Sequence, residues 1–329
     1  MSRQFQTTCL VLSLFLCLGC TVQDASPVLD TDAATAEVDA FEVDAFEAEA
    51  LEVKIATFNV KQFFDTNCDS GRCNAQSFEL VPTRSEFEAK SRQLVQGITS
   101  LNADVVLLQE VETEICLNAL KELLGDRYQT AFLGETNGSA SLDVGVLSTL
   151  PLLQTVSHQD DTIPLIGQQG NTYFTRDLLE VHLDVEGELL IVFSAHFRSK
   201  YPPDDPAQRL AEASAARDIV IAAAQSNPEA LVVLGGDLND VPGSAPINAL
   251  EDGGSLLRVA SELGTEAATY IYRGQGQAID HIYFAQNGSG AYVPGSAQVV
   301  RNSERGLAGS DHSALIGTFS IVPRTGDAP

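Results

Sequence analysis

The run VVLGGDLNDV, residues 232–241, constrains the chain more than any other stretch. A short apolar run of this kind suits a strand buried within a sheet. Two glycines then let the backbone come close to a neighbour, and Asp237 and Asn239 follow at the strand's C-terminal end. A fold built on such a strand must keep polar groups at one end of its sheet. The pattern recurs along the chain. The run KIATFNV brings Asn59 to its end, DVVLLQEV brings Glu110, and the apolar arm of TRDLLEVHLDVEGELLIVFSAHF brings His196. Asp280 opens IDHIYF, and Asp311 and His312 stand just before the last run, ALIGTFSIV. A single Asp-His pair is most often a solvated loop feature. Six polar clusters at strand ends, in an otherwise apolar pattern, point to one site.

Helical patterns separate these runs. Phe87, Leu94, Ile98 and Leu101 recur at three- to four-residue spacing, the mark of an amphipathic helix. PAQRLAEASAARDIVIAAAQS is an alanine-rich helix leading into the 232–241 run, and Glu186-Gly187 joins two strands as a hairpin. Mixed strands and helices with hairpins predict an α/β fold, a four-layer sandwich of two packed mixed β-sheets flanked by helices. No second linker interrupts residues 53–322, which form one domain followed by a tail at 323–329.

The N-terminal residues are different in kind. Residues 1–20 carry one arginine and then a run of Leu, Val and Phe, too short for a membrane span and suited to an export signal. The ending Leu18-Gly19-Cys20 resembles the lipobox of bacterial lipoproteins, with Cys17 as a departure. The expectation is a cell-envelope protein anchored by lipid on Cys20, with a soluble secreted protein as the alternative. Residues 21–52 hold ten acidic and no basic side chains and include a VDAFE near-repeat, which predicts an extended, disordered tether. Residues 53–329 then carry 18 basic and 35 acidic residues, a net −17. Such a domain cannot hold a polyanion on a broad basic face. If it acts on phosphates, metal ions and a few local cations must carry the electrostatics. NCDSGRCN reads as a polar loop stapled by Cys68 and Cys73, which export permits. Cys116 lies in a helical pattern as a small buried hydrophobe, and no Cys/His spacing suggests zinc.

Carboxylate and amide oxygens suit a hard ion such as Mg²⁺ or Mn²⁺, and two histidines offer acid and base near neutral pH. That set fits hydrolysis of a phosphate ester. Taken in order, KIATFNVKQF, DVVLLQEV, YFTRDLLEV, FSAHF, VVLGGDLND, AIDHIYF and GSDHSAL resemble the endonuclease/exonuclease/phosphatase family, most closely its pancreatic-type deoxyribonucleases. The resemblance implies Glu110 as principal metal ligand with Asn59 beside it, and Asp237, Asn239 and Asp311 completing a metal and phosphate site. It implies that His312, paired with Asp280, activates water, and that His196 faces the leaving oxygen or the phosphate. Asp143 is the candidate to orient His196, and Arg176 the candidate phosphate contact. Glu112 stands where those enzymes carry a groove-reading arginine, Thr149 replaces another arginine, and Phe58 replaces a tryptophan. His158 and His182 fall outside the motifs as solvated or structural residues, and His281 should face away from Asp280.

The reading implied is a monomeric, divalent-metal-dependent phosphodiesterase acting on nucleic acid, DNA before RNA, with no protein partner. A phospholipid, sphingolipid or small-molecule phosphodiesterase and an inactive surface binding module are the alternatives.

Overall fold

The computed structural model describes residues 49–323 except Ala75, Asn137, Ser139 and Asn287. The expected export signal, Cys20, the expected tether up to residue 48 and the tail from residue 324 lie outside the described residues. The chain enters as β1 (Leu51–Phe63), crosses through α1 (Arg84–Leu101) to β2 (Val105–Val111), and continues through α2 (Glu114–Leu124). Next come β3 (Thr130–Gly134), β4 (Asp143–Ser148) and β5 (Leu152–Val156). A short ribbon, β6 (Ile163–Pro164) and β7 (Asn171–Thr172), precedes the hairpin β8 (Leu179–Val185) and β9 (Glu188–His196). α3 (Pro206–Ser226) returns the chain to β10 (Leu231–Asp237), followed by α4 (Ala245–Glu251) and β11 (Leu256–Arg258). A second ribbon, β12 (Tyr270–Tyr272) and β13 (Gln275–Gln277), leads to β14 (Asp280–Ala285). β15 (Ala291–Tyr292), β16 (Gln298–Val300) and β17 (Ala314–Ile321) close the chain.

One sheet runs β3-β4-β2-β1-β17, with β15 and β16 both on β17; the other runs β5-β8-β9-β10-β14-β11. Each has a central parallel pair, β1–β2 or β9–β10, connected by a helix, and the neighbouring pairs are antiparallel. A parallel pair needs such a crossover, and the helix it brings covers the sheet's outer face.

Side-chain alternation sorts the core into three layers. Val53 and Ile55 of β1 join Val105, Leu107, Val192, Val233, Ile282 and Phe319 between the two sheets. Ala56, Phe58 and Val60 point the other way and pack on Leu94 and Ile98 of α1 and Leu117 and Leu120 of α2. On the second sheet, Ile191, Phe193, Val232 and Leu234 pack on Ala213, Ala216 and Val220 of α3. Helix, sheet, sheet and helix form the four layers expected from the sequence. α1 starts where its sequence says it should: the Thr83 side chain caps Glu86 N–H while Glu86 reaches back to Thr83 N–H.

Cys68 and Cys73 are bonded, with Cα atoms 5.9 Å apart, and Cys116 is free and buried. The domain begins two residues earlier than the change in composition suggested, because Leu51 and Glu52 pair with Ile321 and Ser320 at the end of β17.

Candidate active site

The face that is apolar through the body of each central strand turns polar at one end. On β1 it reads Val53, Ile55, Thr57, Asn59; on β9, Leu190, Val192, Ser194, His196; on β10, Leu231, Val233, Gly235, Asp237. β14 runs antiparallel to β10 and reads Asp280, Ile282, Phe284. Register places Asp237 opposite both His196 and Asp280. The layer between the sheets therefore ends in a buried polar cluster fed by both sheets. The two glycines of the opening run are explained by space, since neither has a positive φ. A Cβ on Gly235 would lie 2.7 Å from Leu107 Cδ1 of the other sheet; one on Gly236 would lie 1.9 Å from the Ala195 carbonyl oxygen.

Glu110 reaches the cluster by a different route. Alternation on β2 would send it with Val106 and Leu108 toward the helices. Instead β2 shifts register between Gln109 and Val111, and Glu110 takes φ +65°. Such a bulge re-aims a side chain, at a cost in backbone strain. Asn59 Nδ2 donates to Glu110 Oε1 and to Asp237 Oδ2, each at 3.0 Å, and Gln62 N–H donates to Glu110 Oε2 at 2.7 Å. Asn239, at φ +54°, donates its N–H to Asp237 Oδ1 at 2.9 Å and its side-chain amide to the Phe197 carbonyl at 3.1 Å.

The two imidazoles are poised oppositely. His312 Nδ1 lies 2.9 Å from Asp280 Oδ2, and its Nε2 lies 3.9 Å from Asp237 Oδ2. Burial works against a charge on His312, yet Asp280 and Asp237 outweigh it and hold the ring up at about 10. His196 Nε2 is 3.7 Å from Asp237 Oδ2, but burial first, and the charges of Arg176 and His312 next, hold this ring well below the ordinary histidine range. The surroundings thus favour a proton on His312 and disfavour one on His196. Asp237 is pushed up by its burial and by Asp280 beside it.

Most of the site residues expected from the sequence meet here: Asn59, Glu110, His196, Asp237, Asn239, Asp280 and His312. Arg176 joins them. Its Nη1 is 3.4 Å from the Phe197 carbonyl, and Glu110, Glu212 and Asp237 all act on its charge. Three residues have partners that the sequence did not suggest. Asp143 does not orient His196: its carboxylate accepts from Thr136 N–H, Thr136 Oγ1 and Ser141 Oγ, so it closes the loop before β4. His196 Nδ1 is buried and has no hydrogen-bond partner among the described residues. Asp311 sits on Lys61 Nζ at 2.9 Å and outside the groupings of Glu110, His196 and Asp237 and of Asp237, Asp280 and His312. Glu112 presents no charge to a DNA groove; it is buried and accepts from Asp65 N–H at 2.6 Å. Burial, with Asp65, Glu79 and Asp69 nearby, pushes its carboxyl up to about 7.

His281 does face away from Asp280, with Nε2 2.9 Å from the Asp240 carbonyl. His158 and His182 both hold Glu180, a structural role. Lys61, Lys90, Ser310 and Tyr270 were missed. Ser310 donates to the Asn59 carbonyl at 2.7 Å and accepts from His312 N–H at 3.0 Å, pinning the His312 loop to β1. Tyr270 packs against the His312 ring, tilted by 36°, with centroids 4.9 Å apart. Lys90 Nζ donates to the Lys61 and Gln62 carbonyls; burial outweighs the pull of Glu110 and brings its amine down to about 8. Ser310, inside GSDHSAL, and Lys61, inside KIATFNVKQF, lay within motifs; Lys90 and Tyr270 carried no sequence signal.

Two carboxylates and an imidazole, from Glu110, Asp237 and His196, offer ligand atoms within 4.8 Å of one another, and Asp237, Asp280 and His312 form a second such group. Asn59 bridges Glu110 and Asp237. The oxygen-rich donors fit a hard divalent cation.

The fold and this cluster define a class, the two-sheet α/β hydrolases of phosphate esters. The chain belongs to the endonuclease/exonuclease/phosphatase family, whose model matches residues 56–312. Among solved structures it is similar to a truncated TDP2 from Caenorhabditis elegans, at 17% identity and TM-score 0.57, over 82% of this chain and 97% of that one. It is similar also to sphingomyelinase C from Streptomyces griseocarneus, at 18% identity and TM-score 0.55, over 82% and 99%. An endonuclease/exonuclease/phosphatase protein from Beutenbergia cavernae matches at 18% identity and TM-score 0.54, over 83% and 73%. These likenesses show the shared fold. No curated protein matches the chain.

Proposed function

We propose that this protein is a divalent-metal-dependent phosphodiesterase that cleaves nucleic acid, DNA before RNA, using Mg²⁺ or Mn²⁺. The observation that carries this reading is the meeting of Glu110, Asn59 and Asp237 with two oppositely poised imidazoles at one rim of the sandwich. Glu110, with Asp237 and Asn59 beside it, would hold the ion, which when bound supplies charge neutralisation to the phosphate oxygens and the leaving oxygen. Arg176 and Asn239 hold the phosphate. His312 takes the proton from the attacking water, and Asp280 fixes its ring and stabilises the resulting imidazolium. Asp280 first and then Asp237 favour a proton on His312, so an ion that offsets the charge of Asp237 would loosen that hold and free the ring to act as a base. Base function and metal binding are thereby linked through one carboxylate. His196 faces the phosphate as a neutral hydrogen-bonding group.

Local cations support a polyanionic substrate despite the domain's negative charge. Lys61, Arg273 and Arg305 line a groove with Tyr270, Ser310 and Asp311, beside His312. A tyrosine face and basic side chains suit a single strand, whose bases stack and whose phosphates pair. TDP2 from D. rerio, a protein of the same fold, is described in complex with a single-strand DNA product. The protein acts as a monomer, held at the cell envelope by lipid on Cys20. The test is hydrolysis of single-stranded DNA, duplex DNA, RNA, sphingomyelin and bis(p-nitrophenyl) phosphate, each with Mg²⁺ and with EDTA. Mg²⁺-dependent cleavage of DNA is expected. Turnover of sphingomyelin alone would assign a lipid phosphodiesterase, and no turnover at all would leave a binding module.

A further inference from the structure

We infer a second cation site, separate from the catalytic cluster, in which Asp65, Asp69 and Glu112 hold a calcium ion beneath the disulfide loop. Asp65 follows β1, Asp69 lies within the Cys68–Cys73 loop, and Glu112 follows β2. The three carboxylates offer oxygens within 4.8 Å of one another. Glu79 brings a fourth carboxylate to the same loop, where it accepts from the N–H groups of Asp69 and Ser70. Like charges gathered this closely repel unless a cation joins them.

Glu112 supplies the observation that a solvated acidic patch would not. It is 2% exposed, and its Oε1 is buried with no hydrogen-bond partner among the described residues, while its Oε2 accepts from Asp65 N–H. A buried carboxylate oxygen left bare is costly, and metal coordination is one of the few ways to satisfy it. The other two ligands are held in place by the loop. Asp65 accepts from Asn67 N–H at 2.6 Å and Thr113 Oγ1 at 2.9 Å. Glu79 accepts from Asp69 N–H at 2.6 Å and Ser70 N–H at 2.8 Å, fixing the backbone that carries Asp69. Each carboxylate has about four lone-pair directions, so these bonds leave room for an ion.

The donor chemistry selects the metal. Cys68 and Cys73 stand beside Glu79, but their sulfurs are bonded to each other and cannot act as thiolates for zinc. Carboxylates on an irregular loop suit Ca²⁺, which accepts six to eight oxygens in flexible geometry, better than Mg²⁺, which demands a near-ideal octahedron. The ion would brace the active site from behind. Glu112 N–H donates to the Phe63 carbonyl at 3.1 Å, and Gln62 N–H, one residue earlier, holds Glu110. A cation joining Asp65 to Glu112 would tie down the backbone on both sides of that contact.

The experiment uses the full chain carrying Glu110→Gln, which weakens the catalytic ion site, after removal of metals with EDTA. Calorimetric titration with CaCl₂ should show one calcium per molecule, and Tm should rise by roughly 5 °C at calcium a hundredfold above its Kd. Adding Asp69→Asn, an exposed side chain whose change spares the fold, should weaken calcium binding at least tenfold; Glu112→Gln should do the same. Calcium bound at the catalytic cluster would be indifferent to both changes. Unaltered affinity in the Asp69→Asn protein, or no calcium-induced rise in Tm before it is added, would overturn the assignment.

Discussion

Gly236→Ala tests the link between the LGGD run and the site. The added methyl would lie 1.9 Å from the Ala195 carbonyl oxygen, whereas real Cβ contacts stay beyond 3.0 Å. The obstacle is backbone, so β9 and β10 must part by about 1 Å at the residue pair next to His196 and Asp237. Overpacking of this kind costs about 1–3 kcal/mol. A displacement of about 1 Å in catalytic groups costs on the order of 10²-fold in rate. Gly235→Ala is the control. Its methyl comes under 3.0 Å only to Leu107 Cδ1, the movable end of a side chain, so it should lower stability while leaving the rate within about fivefold of the parent. Thermal melts by circular dichroism and kcat/KM for bis(p-nitrophenyl) phosphate in Mg²⁺ separate the two effects. A Gly236→Ala protein with the parental rate, or a Gly235→Ala protein with the larger loss of rate, would refute the reasoning.

His312→Ala should lower the rate by roughly 10²–10⁴-fold, since it removes the proton acceptor; single-turnover assays on the best substrate check this. Glu110→Gln should raise the Mg²⁺ concentration needed for half-maximal activity, read from rate against metal concentration. In the metal-free protein, the folded state binds the His312 proton more tightly than the unfolded chain does. That stabilisation is complete below the unfolded pKa near 6.5 and is lost as pH rises through about 10. Urea melts across this window should show falling stability, and His312→Gln should flatten the slope. In EDTA the protein should bind a DNA oligonucleotide poorly even at low salt, because net −17 must be overcome by a few cations. Fluorescence anisotropy with His312→Ala measures this, and tight binding in EDTA would contradict it.

Some of this chain's organisation is contained in its residue order. The four layers follow from strand runs that alternate with helical patterns, because a strand buried on both faces needs a sheet on one side and helices on the other. Asn59, His196, Asp237 and Asp280 were legible as site residues for a physical reason. Each continues a strand's inward face, so alternation alone carries it to the polar rim. Glu110 was found by its motif, yet alternation would have pointed it at α1 and α2, and only the bulge at φ +65° turns it inward. The partners of charged groups were not legible. Asp311 is claimed by Lys61, Asp143 by Thr136 and Ser141, and Glu112 by a buried loop contact, because pairing depends on which segments the fold brings together. Opposite poise in two chemically identical imidazoles is likewise a tertiary property. Sequence supplies two histidines; burial beside Arg176 disfavours a proton on His196, and contact with Asp280 favours one on His312.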